Sequence, residues 1–179
     1  HISDAKRSEL HKVMPQLKEL GMQLSILSGD HPNNVAELAQ ALAVDDWRAA
    51  QTPAQKLTYI QNLQEQGKTV LMVGDGINDA PALARADVGF AMGAAGTDTA
   101  IETADVALMD DNLRKIPTFV RLSRATAQVL MQNIVLALGI KAVFLVLTFT
   151  GQATMWMAVF ADMGASLLVV GNGLRLLRK

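Results

Sequence analysis

Two long apolar stretches separated by three residues constrain this chain more than any other feature. Val129–Phe149 carries one charge, Lys141, and Ala153–Val170 carries one, Asp162. Each approaches the roughly 20 residues that an α-helix needs to cross a hydrocarbon core. The link, Thr150-Gly151-Gln152, is short, so the pair is expected to form an antiparallel transmembrane hairpin. Arg114, Lys115, Arg121 and Arg124 precede it, and Arg175, Arg178 and Lys179 follow it. Positive charge on both flanks, with none in the link, places both ends in the cytoplasm. The competing reading is a hydrophobic hairpin inside a soluble core, since 50% apolar residues overall is high but attainable for a soluble protein.

The net charge of −1 gives no case for a nucleic-acid partner, yet it conceals a split. Residues 1–111 carry 16 acidic and 8 basic side chains, whereas residues 112–179 carry 8 basic and a single acidic one. The two parts face different surroundings, and 1–111 and 112–179 are expected to be separate domains. Cysteine is absent, which excludes disulfides and thiolate metal ligands in these residues. The first 20 residues are charged throughout and hold no signal peptide. His1 stands where an initiator Met would, so the start is expected to be a processing or expression boundary.

The upstream part alternates between helix and strand. Ser8–Leu20 has helical apolar spacing at Leu10, Val13, Met14, Leu17 and Leu20, closed by Gly21. Gln23–Leu27 reads as a short strand ending on Ser28-Gly29-Asp30. A helix from Pro32 to Ala41 follows, with Asp30 or His31 near its cap. Pro53 opens another helix that runs to Gln66, and Gly67 ends it. Thr69–Val73 is a buried strand leading into Gly74-Asp75-Gly76 and a helix from about Asn78. Val88–Ala91 and Val106–Met109 are two further short strands. This alternation predicts an α/β fold with a parallel, doubly wound sheet, its site at the carboxyl ends of the strands. Leu113–Gln128 is expected to continue as helix into the first span, with spans at about 129–149 and 153–170.

Gly74-Asp75-Gly76-Ile77-Asn78-Asp79, directly after an apolar strand, is the sharpest chemical signal. Glycines let the chain turn tightly and let a phosphate approach the backbone. Two carboxylates four residues apart can hold Mg²⁺, a hard cation that prefers oxygen. Taken alone, such a string also fits a calcium-like loop or a plain turn. Its neighbours narrow the choice: Ser28-Gly29-Asp30 offers a hydroxyl and backbone N–H groups to phosphoryl oxygens. Lys56 can bring a positive charge to the same group, although by itself it reads as a solvated helix lysine.

In this order the pieces resemble the haloacid-dehalogenase phosphotransferase fold, and within it the P-type ATPases, whose signature GDGINDAPAL stands at Gly74–Leu83. Asp4-Ala5-Lys6-Arg7 resembles the D-x-x-R segment of that family, and the resemblance covers essentially the whole chain. It implies a partial haloacid-dehalogenase-like, Rossmann-like phosphorylation domain followed by the hairpin. It also implies that Asp75 binds Mg²⁺ with support from Asp79, and that Asn78 contacts the phosphoryl group. Ser28 and Gly29, with Asp30 closing their turn, would bind its oxygens, and Lys56 would neutralise its charge. Ser28 replaces the commoner threonine but keeps the hydroxyl. The DKTGT segment, whose aspartate accepts the phosphoryl group from ATP, does not occur in this sequence. The resemblance therefore implies that these residues alone neither phosphorylate themselves nor transport. It also implies that ATP is bound mainly by a nucleotide-binding domain in the missing N-terminal portion.

Lys141 and Asp162 fall near the middles of their spans, where an unpaired charge costs at least ~2.5–3.5 kcal/mol. Pairing across the hairpin or facing a polar cavity relieves that cost. One reading is a stabilising salt bridge. The other makes Asp162 a ligand of the transported ion and Lys141 its counter-ion when the site is empty. Two spans after the GDG domain resemble the heavy-metal pumps. Asn133…Lys141 with Asp162-Met163-Gly164 resembles the zinc, cadmium and lead exporters. A carboxylate suits Zn²⁺, Cd²⁺ or Pb²⁺, whereas Cu⁺ prefers sulfur. A copper exporter, a soluble phosphatase of the same superfamily and a non-enzymatic membrane module remain the alternatives. The resemblance implies a multi-pass protein of the plasma (inner) membrane, with residues 1–128 and the C-terminal tail in the cytoplasm.

Overall fold

The computed structural model describes residues 4–74, 77–93, 98–110, 112–151 and 154–178. The chain divides into two compact units, His1–Pro117 and Thr118–Lys179.

In the first unit the helices begin and end where proline and glycine stand. Helix α1 spans Asp4–Glu19 and stops at Gly21, whose φ of +75° needs no Cβ. There the Met22 and Gly21 N–H groups donate to the Leu17 and Lys18 carbonyls, which satisfies the last turn. Helix α2, Pro32–Ala41, starts with Pro32 in its first turn, where the missing N–H costs nothing, and His31 caps it. Helix α3, Pro53–Glu65, is fixed at its start by a reciprocal capping box between Thr52 and Gln55. It closes at Gly67, φ +76°, through the same pair of bonds as α1.

The strands are β1 (Ser25–Leu27), β2 (Asp46–Arg48), β3 (Leu71–Gly74), β4 (Val88–Met92) and β5 (Val106–Leu108). All pairings are parallel, as expected, but the strands form two sheets rather than one, β1-β2 and β3-β4-β5. The α2 crossover closes the first sheet. Helices α4 (Ala80–Arg85) and α5 (Asp98–Thr103) connect the strands of the second. Val13 and Leu17 of α1, together with Leu113 and Ile116, pack on one face of the second sheet around Phe90, Met92 and Leu108. Leu83 of α4 and Ala91 form the core of the other face, joined by Met72 and Ile101. With both faces covered, the sheet is of the doubly wound kind.

The second unit is a helical hairpin. Helix α6 runs unbroken from Lys115 to Phe149 and includes the expected continuation through Gln128. It contains a stretch of mean hydropathy 2.1, none of it buried, long and apolar enough to cross a membrane. Gly151, at φ +72°, begins the reversal. Thr154 caps α7, Met155–Leu174, by accepting from the Met157 N–H. The apolar part Val159–Leu174 is shorter than a full span. Gln152 and Ala153, assigned to the link and the second span, lie outside the described residues.

Candidate functional site

The carboxyl end of β3 delivers Gly74, and a 3₁₀ turn over Ile77–Asp79 brings the chain back beside it. A Cβ at Gly74 would stand 2.8 Å from Asp79 Cβ, so glycine is what allows Asp79 to pack there. Helix α3 approaches with Lys56, whose Nζ donates to Asp79 Oδ1 at 2.6 Å. Lys56 is only 9% exposed and is the one buried charged side chain among the described residues. An ammonium taken out of water needs such a partner, because desolvating it alone costs several kcal/mol. The solvated-lysine reading of Lys56 is thereby corrected: Ile60, 1% exposed and one turn further on, turns this face of α3 inward.

Asn78 is exposed beside the pair. Asp75, read as the Mg²⁺ ligand, lies outside the described residues, and so do the side chains of Asp4–Arg7. No cluster of three or more His, Asp or Glu side chains gathers among the described residues.

The Ser28-Gly29-Asp30 turn leaves the carboxyl end of β1. The Asp30 N–H donates to Ser28 Oγ at 3.2 Å, and the turn is stitched to the segment that enters α3. Ser28 N–H donates to Arg48 O, Gln51 N–H to Ser28 O, and Ala50 N–H to Asp30 O, all at 2.9–3.0 Å. Ala50 takes a left-handed φ of +51° to do so. Such backbone strain is often found at functional turns. No hydrogen bond joins this turn to Lys56, Asn78 or Asp79 among the described residues.

A polar cluster that the sequence reading missed sits behind this turn. Tyr59, the chain's single tyrosine, donates from its hydroxyl to Asp46 Oδ2 and lies 3.1 Å from Ser25 Oγ. Ser25 Oγ donates to the same Asp46 oxygen at 2.7 Å, and the Arg48 guanidinium stacks 4.7 Å from the Tyr59 ring centre. Burial works against the Asp46 carboxylate. The Tyr59 and Ser25 hydrogen bonds and the Arg48 charge outweigh it and hold the group below its ordinary range. Burial and the bond to Asp46 push the Tyr59 hydroxyl up. The only sequence signal was spacing: Tyr59 follows Lys56 by three residues on one helix.

In the second unit Lys141 and Asp162 are both exposed, and no ion pair joins them. The polar contact between the helices lies elsewhere. Asn172 Nδ2 donates to Asn133 Oδ1 at 2.9 Å and stands 3.3 Å from Gln132 Oε1, while Arg175 donates to Asn172 Oδ1 at 3.1 Å. Lys141 is eight residues along α6 from this contact, and Asp162 ten residues back along α7. These are displacements of about 12 and 15 Å in the same direction along antiparallel helices. At about 100° per residue both point about 80° away from the contact line, to the same side. Ideal helix geometry thus sets them about 3 Å apart in depth, on one side of the seam. An apolar groove lined by Ile140, Phe144, Met157, Phe160, Ala161 and Gly164 also runs between the two helices.

Residues 2–87 match the family model described as haloacid dehalogenase-like hydrolase. Over 178 residues, 99% of this chain, the sequence is 51% identical to the "Probable cadmium-transporting ATPase" of Listeria monocytogenes. It is 43% identical over the same share to the "Zinc/cadmium/lead-transporting P-type ATPase" of Escherichia coli strain K12. The chain spans only about a quarter of the length of these relatives, 25% and 24%. A crystal structure of a zinc-transporting PIB-type ATPase in an E2.Pi state superposes with a TM-score of 0.88 at 44% identity, covering 93% of this chain and 27% of that one.

Proposed function

We propose that the chain is part of a metal-transporting P-type ATPase of the haloacid-dehalogenase-like superfamily, the part that grips the transferred phosphoryl group and carries two of the pump's membrane helices. The observation that carries this reading is the buried Lys56 paired with Asp79 against Gly74. It holds a fixed positive charge at the carboxyl ends of the strands, where such folds bind ligands.

In this reading Lys56 stabilises charge on the phosphoryl oxygens without reorganising during the reaction. The Ser28 hydroxyl and the Gly29 N–H donate to those oxygens, and Asn78 orients the group. The donor set fits Mg²⁺. Asp79, with Asp75, would offer that ion hard carboxylate oxygens. Bound there, Mg²⁺ would neutralise charge on the phosphate. The aspartate that accepts the phosphoryl group from ATP lies in the longer protein. Among the described residues β1 and β3 each keep an edge without a strand partner, to which that segment would pair. The present 179 residues alone are then inactive.

Asp162 serves as a ligand of the exported ion and Lys141 as its counter-ion, at one depth and on one side of the hairpin. A carboxylate at this place favours Zn²⁺, Cd²⁺ or Pb²⁺ over Cu⁺. The exposed apolar stretch of α6 argues against a soluble phosphatase and for a multi-pass membrane protein. The test is the zinc-stimulated ATPase of the intact pump. Asp162→Ala should abolish the stimulation and Asp75→Asn the Mg²⁺-dependent turnover. Unchanged stimulation in the first variant would make Asp162 structural.

A further inference from the structure

We propose that Tyr59 is a positioning residue for phosphoryl transfer: anchored on Asp46 and Ser25, it sets where Lys56 stands relative to the Ser28–Gly29 turn. The inference rests on the phosphoryl-binding reading above and deepens it.

Side chains on α3 reach both sheets. Toward the second sheet, Lys56 pairs with Asp79, and Gln64 Nε2 donates to Arg85 O at 3.0 Å and Asp87 Oδ2 at 3.1 Å. Toward the first, the tie is Tyr59. Its hydroxyl reaches Asp46 and Ser25, which are paired with each other in the β1-β2 register.

These contacts close a frame. One side is β1, stiff from Ser25 to the phosphate-binding turn at Ser28. The second is the lacing of that turn to Arg48, Ala50 and Gln51, which leads into the Thr52 cap. The third is α3 from Thr52 past Lys56 to Tyr59, a rigid rod of about 1.5 Å per residue. The Tyr59 hydroxyl closes the fourth corner. Without it, α3 is tied to the first sheet by the laced end and, three residues beyond Glu65, by Lys68 Nζ donating to Gln23 Oε1 at 3.3 Å. It can then roll, and Lys56 sits one turn from the released residue.

The bond to Asp46 is charge-assisted, the stronger class of hydrogen bond. The Arg48 stacking holds the ring itself. Tyr59→Phe therefore keeps the packed ring and removes only the anchor. Misplacing a catalytic charge by about 1 Å can cost up to about a hundredfold in rate.

The experiment uses the intact pump in detergent or vesicles, with orthovanadate as the phosphoryl mimic. Tyr59→Phe is expected to weaken vanadate inhibition and lower kcat, each by about tenfold. The ATP KM and the Zn²⁺ concentration for half-activation should stay within about twofold, because ATP is held mainly by the nucleotide-binding domain and Zn²⁺ by the membrane helices. Asp46→Asn should reproduce the pattern and serves as the second variant if Tyr59→Phe does not assemble. Unchanged vanadate inhibition and kcat, with only a lower melting temperature, overturn the proposal and leave Tyr59 structural. Lys56→Ala is the control. If it too leaves vanadate inhibition intact, the phosphoryl-site reading fails; if it abolishes inhibition while Tyr59→Phe does not, only the present inference fails.

Discussion

The side-chain amide of Asn172 on α7 is hydrogen-bonded to Asn133 on α6 at 2.9 Å, between two helices of mostly apolar sequence. In a lipid-facing pair, one amide contact is a register device, since apolar side chains pack almost as well one turn up or down. With this contact as reference, Lys141 and Asp162 differ in depth by only about 3 Å. A slip of one turn would change that offset by about 5 Å and turn one of the two to a different depth.

Asn172→Leu is therefore expected to raise the Zn²⁺ concentration that half-activates the intact pump while leaving vanadate inhibition unchanged. Interhelical polar contacts in membranes contribute about 0.6 kcal/mol on average and about 1.7 at most, so the shift should fall between about threefold and eighteenfold. Asn172→Gln, which keeps an amide, should recover part of it. A zinc dependence that does not move would show that the apolar surfaces alone hold the register.

How much of this was legible in the sequence depends on how local the cause is. Helix bounds were readable because proline and glycine act on their own turns, so Pro32–Ala41 emerges residue for residue. Strand β2 was missed because Asp46-Trp47-Arg48 has no apolar run, and pairing with β1 alone makes it a strand. Helix α5 was missed as well, having only six residues. The division into two sheets is likewise a matter of pairing between distant segments. At the site, residue types pointed to Lys56 and Asp79, but not to their contact, which spans 23 positions, nor to the burial of Lys56. Tyr59 and Asp46 meet only because of the roll of α3. Lys141 and Asp162 were singled out as intramembrane charges, yet whether they pair depends on a register that two asparagines set.

Asp87 makes the first unit acid-sensitive. Its carboxylate accepts from the Val70 N–H at 2.7 Å and from Gln64 at 3.1 Å, and these bonds hold it below the ordinary carboxylate range. Its stabilising contribution is therefore complete above the unfolded-state value of about 3.9 and is lost as pH falls through the lower folded value. Thermal melts in detergent should decline below about pH 4. Asp87→Asn should lower the melting temperature at neutral pH and flatten that decline. An equally steep acid limb in the variant would assign the sensitivity to other groups, Asp46 first among them.

Ala43 offers the opposite kind of change. It ends α2 through the pair of bonds seen at Gly21 and Gly67, with the Val44 and Ala43 N–H groups donating to the Ala39 and Gln40 carbonyls. Here, however, the left-handed residue, at φ +52°, carries a Cβ. That conformation costs an L-residue roughly 1–2 kcal/mol, and glycine gives back part of this in chain entropy. Ala43→Gly should thus stabilise the chain by about 0.5–1 kcal/mol, read as a higher denaturant midpoint with unchanged slope. A lower midpoint would mean that the unfolded-state entropy outweighs the relieved strain.

Gly74 and Gly89 separate stability from chemistry, because both are closed to a Cβ but by different neighbours. At Gly89 the added atom would meet the Leu83 carbonyl oxygen at 2.8 Å, away from the Lys56–Asp79 pair. At Gly74 it would meet Asp79 Cβ at 2.8 Å, Oδ2 at 3.1 Å and Cγ at 3.2 Å. Asp79 can only yield by moving its 3₁₀ turn, which draws its carboxylate from Lys56. Overpacking of this kind costs about 1–3 kcal/mol, so both alanine variants should melt at lower temperature. Gly74→Ala alone should lose ATP hydrolysis by at least about a hundredfold when assayed well below its melting temperature. Comparable activity in the two variants would show that the Lys56–Asp79 distance is not what the phosphoryl site requires.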